Sequence, residues 1–138
     1  MYLLDSYALY IEKNRPKRER FYEPRRKTMI KVVEKLQALE DDELDELFVH
    51  MPPRVGKSQM MTVYMAWHCA RDPEKSNLYC TYKESLGGAF LEGITEIWTD
   101  PTYCHNDIFP DAKIVYTDAK NHKIDLKRRK KYKSVAGK

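Results

Sequence analysis

An α/β fold is predicted for this chain: strands and helices alternating in a three-layer core, preceded by a short N-terminal helix. Three observations predict it. An apolar run of strand type at residues 47–51 leads through a tight Pro- and Gly-containing turn into a helical pattern. A second β-rich run at residues 77–82 is likewise followed by a helix, and strand, helix, strand, helix in series is the signature of a doubly wound sheet. The length, 138 residues, accommodates one such core and no second domain of ordinary size.

Residues 1–20 form the first unit, a helix or arm with a basic end. Leu3, Leu4, Tyr7, Leu9, Tyr10 and Ile11 make a rough helical stripe, and Pro16 breaks the basic stretch that follows. Residues 21–138 form the second unit, the nucleotide-binding core. Phe21-Tyr22-Glu23-Pro24 reads as a turn, and from Arg25 the spacing of Met29, Ile30, Val33, Leu36 and Leu39 gives one apolar helical face ending near Glu40. An acidic linker, residues 41–46, leads to Leu47-Phe48-Val49-His50-Met51, which Pro52 and Pro53 terminate. The next helix opens at Gly56-Lys57-Ser58, runs through Met61, Tyr64, Met65 and Cys69, and stops at Asp72-Pro73. Asn77 to Tyr82 is the second strand and Ser85 to Trp98 the helix after it. Lys113 to Tyr116 and Lys123 to Leu126 are short strand candidates that fit a hairpin.

Charge is uneven. Asp41, Asp42, Glu43, Asp45 and Glu46 are clustered, whereas both ends are basic, so an anionic partner such as DNA is expected at the ends. A solvated charged surface explains the same residues, and core packing accounts for Trp67, Trp98, Tyr64 and Tyr79 better than base stacking does. Cys69, Cys80 and Cys104 are odd in number with no Cys-x-x-Cys spacing, which points to reduced thiols rather than a disulfide framework or a zinc site. No apolar run approaches the ~20 residues that span a bilayer, and Asp5 and Ser6 break the N-terminal apolar stretch. A cytoplasmic location away from membranes is therefore expected.

The chemistry centres on Met51-Pro52-Pro53-Arg54-Val55-Gly56-Lys57-Ser58. The phosphate-loop pattern is Gly, four residues, Gly-Lys, then Ser or Thr; here Met51 replaces the first glycine. A strand that delivers the chain to a turn of inward-pointing amides, with a helix starting there, brings a positive helix end to anionic oxygens. In this reading Pro53, Arg54, Val55, Gly56, Lys57, Ser58 and Gln59 surround the phosphates of ATP. Gly56 permits close backbone approach, Lys57 reaches the β- and γ-phosphates, and the Ser58 hydroxyl ligates Mg2+. Arg54 adds a guanidinium that can touch the γ-phosphate, so Lys57 and Arg54 are the catalytic candidates. A basic surface turn capped by Ser58 is the plainer alternative.

The segment "MPPRVGKS" resembles the variant Walker A segment of the large terminase subunits of tailed bacteriophages. Arg20-Phe21-Tyr22-Glu23-Pro24 before a helix is similar to the region in which that family holds adenine, which makes Phe21 and Tyr22 base-contact candidates; Arg26 or Lys27 stands where a Gln or His is common. "NLYCTYKESL" looks like the family's second strand and following helix, and "IFPDAKI" like its Phe-Pro step. The resemblance spans residues 20–138 and implies an ASCE-type P-loop ATPase that drives double-stranded DNA into a procapsid together with a portal and a small terminase subunit. No apolar run ending in Asp-Glu follows, so the Walker B pair that anchors metal and orients water is missing. The expectation is an incomplete N-terminal part of such a motor, with a separate chain possible as carrier of the remainder, that binds Mg-ATP weakly and hydrolyses it little or not at all. A non-catalytic DNA- or partner-binding remnant and another P-loop enzyme, such as a helicase or small kinase, are the alternatives.

Overall fold

The structure, a computed structural model, describes residues 3–112, 114–118 and 123–126. The basic run at residues 127–138, and residues 119–122 of the expected hairpin, lie outside the described residues. In chain order the elements are α1 (Leu4–Ile11), a 3-10 turn (Lys17–Glu19), α2 (Tyr22–Glu40), α3 (Lys57–Arg71), α4 (Glu84–Thr99), α5 (His105–Ile108), β1 (Ile114–Asp118) and β2 (Lys123–Leu126). The α/β three-layer expectation is overturned. The core is helix packed on helix, and no described residue belongs to a parallel sheet. Residues 47–51 and 77–82, expected as its strands, are not strands. A strand is a pairing and not a local property, and neither run meets a main-chain partner among the described residues. The strand pair that is present is β1 with β2, antiparallel, with Thr117 opposite Ile124, Asp118 opposite Lys123 and a bulge between Ile114 and Tyr116.

The helices follow their apolar periodicity. Tyr22, Met29, Val33 and Leu36 of α2 meet Met60, Val63 and Trp67 of α3 and Phe90, Ile94 and Ile97 of α4 in one buried cluster. The N-terminal unit belongs to this cluster too, because Leu4, Tyr7 and Ile11 of α1 are fully buried. Helix α2 starts at Tyr22, three residues before the apolar pattern begins, for a tertiary reason. The buried carboxylate of Glu12 accepts the amides of Phe21 at 2.8 Å and Tyr22 at 3.0 Å, supplying from a distant residue the cap the helix lacks locally. Helices α3 and α4 cross closely at Gly93, where a Cβ would stand 2.8 Å from the Thr62 methyl, and the Trp98 indole donates to the Ala66 carbonyl at 3.2 Å.

Two polar clusters fix the ends. The buried His105 ring shares a 2.9 Å hydrogen bond with the Tyr7 hydroxyl and stacks on Trp98 at 4.7 Å, and burial alone pulls its pKa down to about 4. At the other end Glu40, the last residue of α2, accepts from the Tyr64 hydroxyl at 3.2 Å and lies 2.5 Å from His68 Nδ1, with Arg71 at 3.4 Å. His68 Nε2 meets Asn77 Oδ1 at 3.0 Å. Residues 41 and 77 therefore set out from one place, the first towards the start of α3 and the second towards the start of α4. Among the described residues no helix is long and apolar enough to cross a membrane.

Candidate phosphate-binding turn

From Glu46 to Pro52 the chain runs without a turn or bend, and its exposure alternates: Leu47, Val49 and Met51 are half-buried while Phe48 and His50 are exposed. Leu47 and Met51 pack on the helical cluster, so this run is laid on the helices by its apolar face. It then turns at Pro53 and Arg54, and α3 begins at Lys57. Two residues take left-handed backbone, Arg54 at φ 63° and Gly56 at φ 98°. The first is uncommon for a side-chain-bearing residue and the second is suited to glycine. Residues 53–56 therefore form a turn and do not continue the straight run.

Gly56 stands at the N-cap with no side-chain hydrogen bond, and its carbonyl takes the first helical bond from Met60 N at 2.9 Å. The amides of Lys57, Ser58 and Gln59 find no acceptor among the described residues, and the first turn of α3 carries no acidic residue. Three donors without a described acceptor thus sit at the positive end of a helix of 15 residues, and no acidic side chain of the first turn neutralises them. The side chains of Arg54, Lys57, Ser58 and Gln59 are exposed, and neither Arg54 nor Lys57 forms an ion pair with a described residue. Ser58 does not cap the helix; its carbonyl accepts from Thr62 Oγ1 at 3.1 Å and its hydroxyl bonds no described residue. Such a hydroxyl suits one position of a Mg2+ ion that takes its other oxygens from phosphate and water.

The base-contact candidates separate. Phe21 is half-buried and lies against the turn: a Cβ on Gly56 would fall 2.5 Å from Phe21 Cε2 and 2.9 Å from Cζ. Tyr22 is fully buried, and its hydroxyl donates to Asp5 at 2.5 Å, so it faces the core and not a ligand. Arg26 is engaged with the same carboxylate through Nε at 3.0 Å and Nη2 at 2.9 Å, holding Asp5 below the usual carboxylate range. Of the basic arm, Arg20 bonds Glu23 and the carbonyls of Arg15 and Lys13, whereas Arg15 lies over Tyr103 and bonds Thr102. Those two arginines tie the arm down.

Sequence reasoning missed Arg25. Its guanidinium lies 5.1 Å over the Phe21 ring and donates to the Phe21 carbonyl, and its Cδ would be 3.4 Å from a Cβ on Gly56, which brings a third cation to the turn. The only available signal was its position four residues after Phe21 on the same helical face. Compared with known proteins, the chain matches no family model, no curated protein and no solved structure.

Proposed function

We propose that the turn from Pro53 to Gln59 binds the phosphates of ATP, and that the chain serves as the ATP-binding part of a viral DNA-packaging motor of the terminase large-subunit type. The supporting observation is the set of amides at Lys57, Ser58 and Gln59 without a described acceptor, in a turn that carries the exposed Arg54 and Lys57 and lies beside Arg25. Backbone donors at a helix start and flexible cations suit an oxyanion with several oxygens better than a carboxylate. In this reading Lys57 reaches the terminal phosphates, Arg54 lies over the γ-phosphate and Ser58 supplies one oxygen to Mg2+. Phe21 offers a ring edge beside the turn. Bound Mg2+ would draw charge from the phosphates, while the residues present bind and orient.

Double-stranded DNA, a portal and a small terminase subunit are the partners this reading carries, and the bacterial cytoplasm its location. Hydrolysis is expected to be slight, because the chain has no apolar run ending in Asp-Glu to orient a water. A second reading, a non-catalytic DNA- or partner-binding chain, draws support from one observation: packing against Phe21 already accounts for a glycine at position 56 without a phosphate.

Titration of Mg-ATP into the wild type and Lys57→Ala separates the two. Loss of one charge-assisted phosphate contact corresponds to about 1.5–3 kcal/mol, hence a weakening of about tenfold or more. Equal and negligible binding by both proteins rejects the nucleotide reading, and turnover comparable to that of a complete motor rejects the expectation of slight hydrolysis.

A further inference from the structure

We propose that residues 47–51 form a strand-pairing surface whose occupant is the same run of a second copy of this chain, antiparallel about a two-fold axis at Val49. The inference starts from unsatisfied backbone; it does not require nucleotide binding, and it competes with the nucleotide reading for Arg54 and Lys57. From residue 46 to 52 no main-chain N–H or C=O meets a described partner, although the run is unbent and its side chains alternate as on a pleated strand. One face of that pleat already rests on the helices. The other presents Phe48, 78% exposed, beside His50. An unpaired apolar edge of this kind is a template for another strand, and it carries neither an inward charge nor a bulge that would repel one.

The choice of a second copy rests on charge. Antiparallel pairing about Val49 sets Leu47 opposite Met51 of the partner subunit and Phe48 opposite His50 of the partner subunit, so half-buried residues meet half-buried ones and exposed residues meet exposed ones. It also sets the end of each run that follows the acidic residues 41–46 beside the end of the other that leads into residues 52–57. Asp42, Glu43, Asp45 and Glu46 are exposed and form no ion pair with a described residue; Arg54 and Lys57 are in the same condition. Two-fold symmetry makes this complementarity count twice, and it closes the assembly at two copies. Pro52 and Pro53, which lack an N–H, end the ladder where the turn begins. So short a ladder gives a weak, concentration-dependent dimer. Each acidic run then lies near the other copy's phosphate turn.

The test is sedimentation equilibrium of the full chain across the micromolar to millimolar range, at low and high salt, alongside Phe48→Asp. Because Phe48 is exposed, its substitution leaves the helical core intact, which far-ultraviolet circular dichroism checks. Self-association that weakens about tenfold or more with Phe48→Asp and also weakens with salt is expected, with amide exchange at residues 47–51 slowing as concentration rises. A chain that stays monomeric throughout overturns the proposal. A dimer insensitive to Phe48→Asp, with those amides exchanging freely, overturns it as well.

Discussion

Gly56→Ala tests how the turn is held. A Cβ at this position falls 2.5 Å from Phe21 Cε2 and 2.9 Å from Cζ, on a backbone at φ 98°. The left-handed backbone costs a side-chain-bearing residue about 1–2 kcal/mol. Displacing a packed ring adds about 1–3 kcal/mol, since the half-buried Phe21 ring also carries the Arg25 guanidinium at 5.1 Å. The single substitution should therefore lower unfolding free energy by about 2–5 kcal/mol. In a Phe21→Ala background the clash vanishes and the backbone cost alone remains, about 1–2 kcal/mol. The four proteins of this cycle are compared by urea unfolding followed by tryptophan fluorescence, with Trp67 and Trp98 buried as reporters. The expected coupling is about 1–3 kcal/mol. If Gly56→Ala costs the same in both backgrounds, Phe21 does not set the space beside the glycine, and the packing argument fails.

Other perturbations follow from the polar groups inside the core. His105, buried on Trp98 and Tyr7, has its pKa pulled down to about 4, below its unfolded value, so the unfolded chain takes up the proton first. Its contribution is intact above about pH 6.5 and is lost as pH falls from there towards 4, to a limit of about 3 kcal/mol. Urea unfolding at stepped pH should show that slope flattened in His105→Gln, and an unchanged slope refutes the assignment. Glu12→Ala strips the amides of Phe21 and Tyr22 of their acceptor and should destabilise by about 2–3 kcal/mol, with exchange at those amides accelerated while that at the centre of α3 tracks global stability. Gly93→Ala presses on the Thr62 methyl at 2.8 Å and should cost about 1–3 kcal/mol; Thr62→Ser, which removes that methyl, should recover most of the loss in thermal unfolding, and no recovery counts against close α3–α4 contact at this point.

Helices were legible because their signal is local. The spacing of Met29, Val33 and Leu36, and the Asp72-Pro73 stop after α3, place two helices within a few residues of where they stand. The start of α2 was not legible, because its cap, Glu12, lies ten residues away from Tyr22 and acts through the fold of the arm. Nor could sequence separate Phe21 from Tyr22: two adjacent aromatics carry the same apolar signal, yet on a helix they point about 100° apart, and one faces the turn while the other enters the core.

The predicted sheet failed for a more general reason. Alternation at residues 47–51 reports that one face of the run is apolar, and in the structure that face is indeed the one laid on the helices. Alternation does not report who accepts the main-chain hydrogen bonds, which is a non-local matter and is unanswered for this run among the described residues. The turn at residues 53–56 escapes that dependence. Its left-handed residues at 54 and 56, and the free amides that follow, need only a reversal of the chain and the start of one helix, both of which residues 52–60 provide by themselves. The proposed anion cradle therefore asks for no sheet behind it. Under the nucleotide reading, binding depends on how firmly Leu47 and Met51 moor the incoming chain, so titration of Mg-ATP into Leu47→Ala or Met51→Ala should show weaker binding than the wild type, and unchanged binding counts against this mooring.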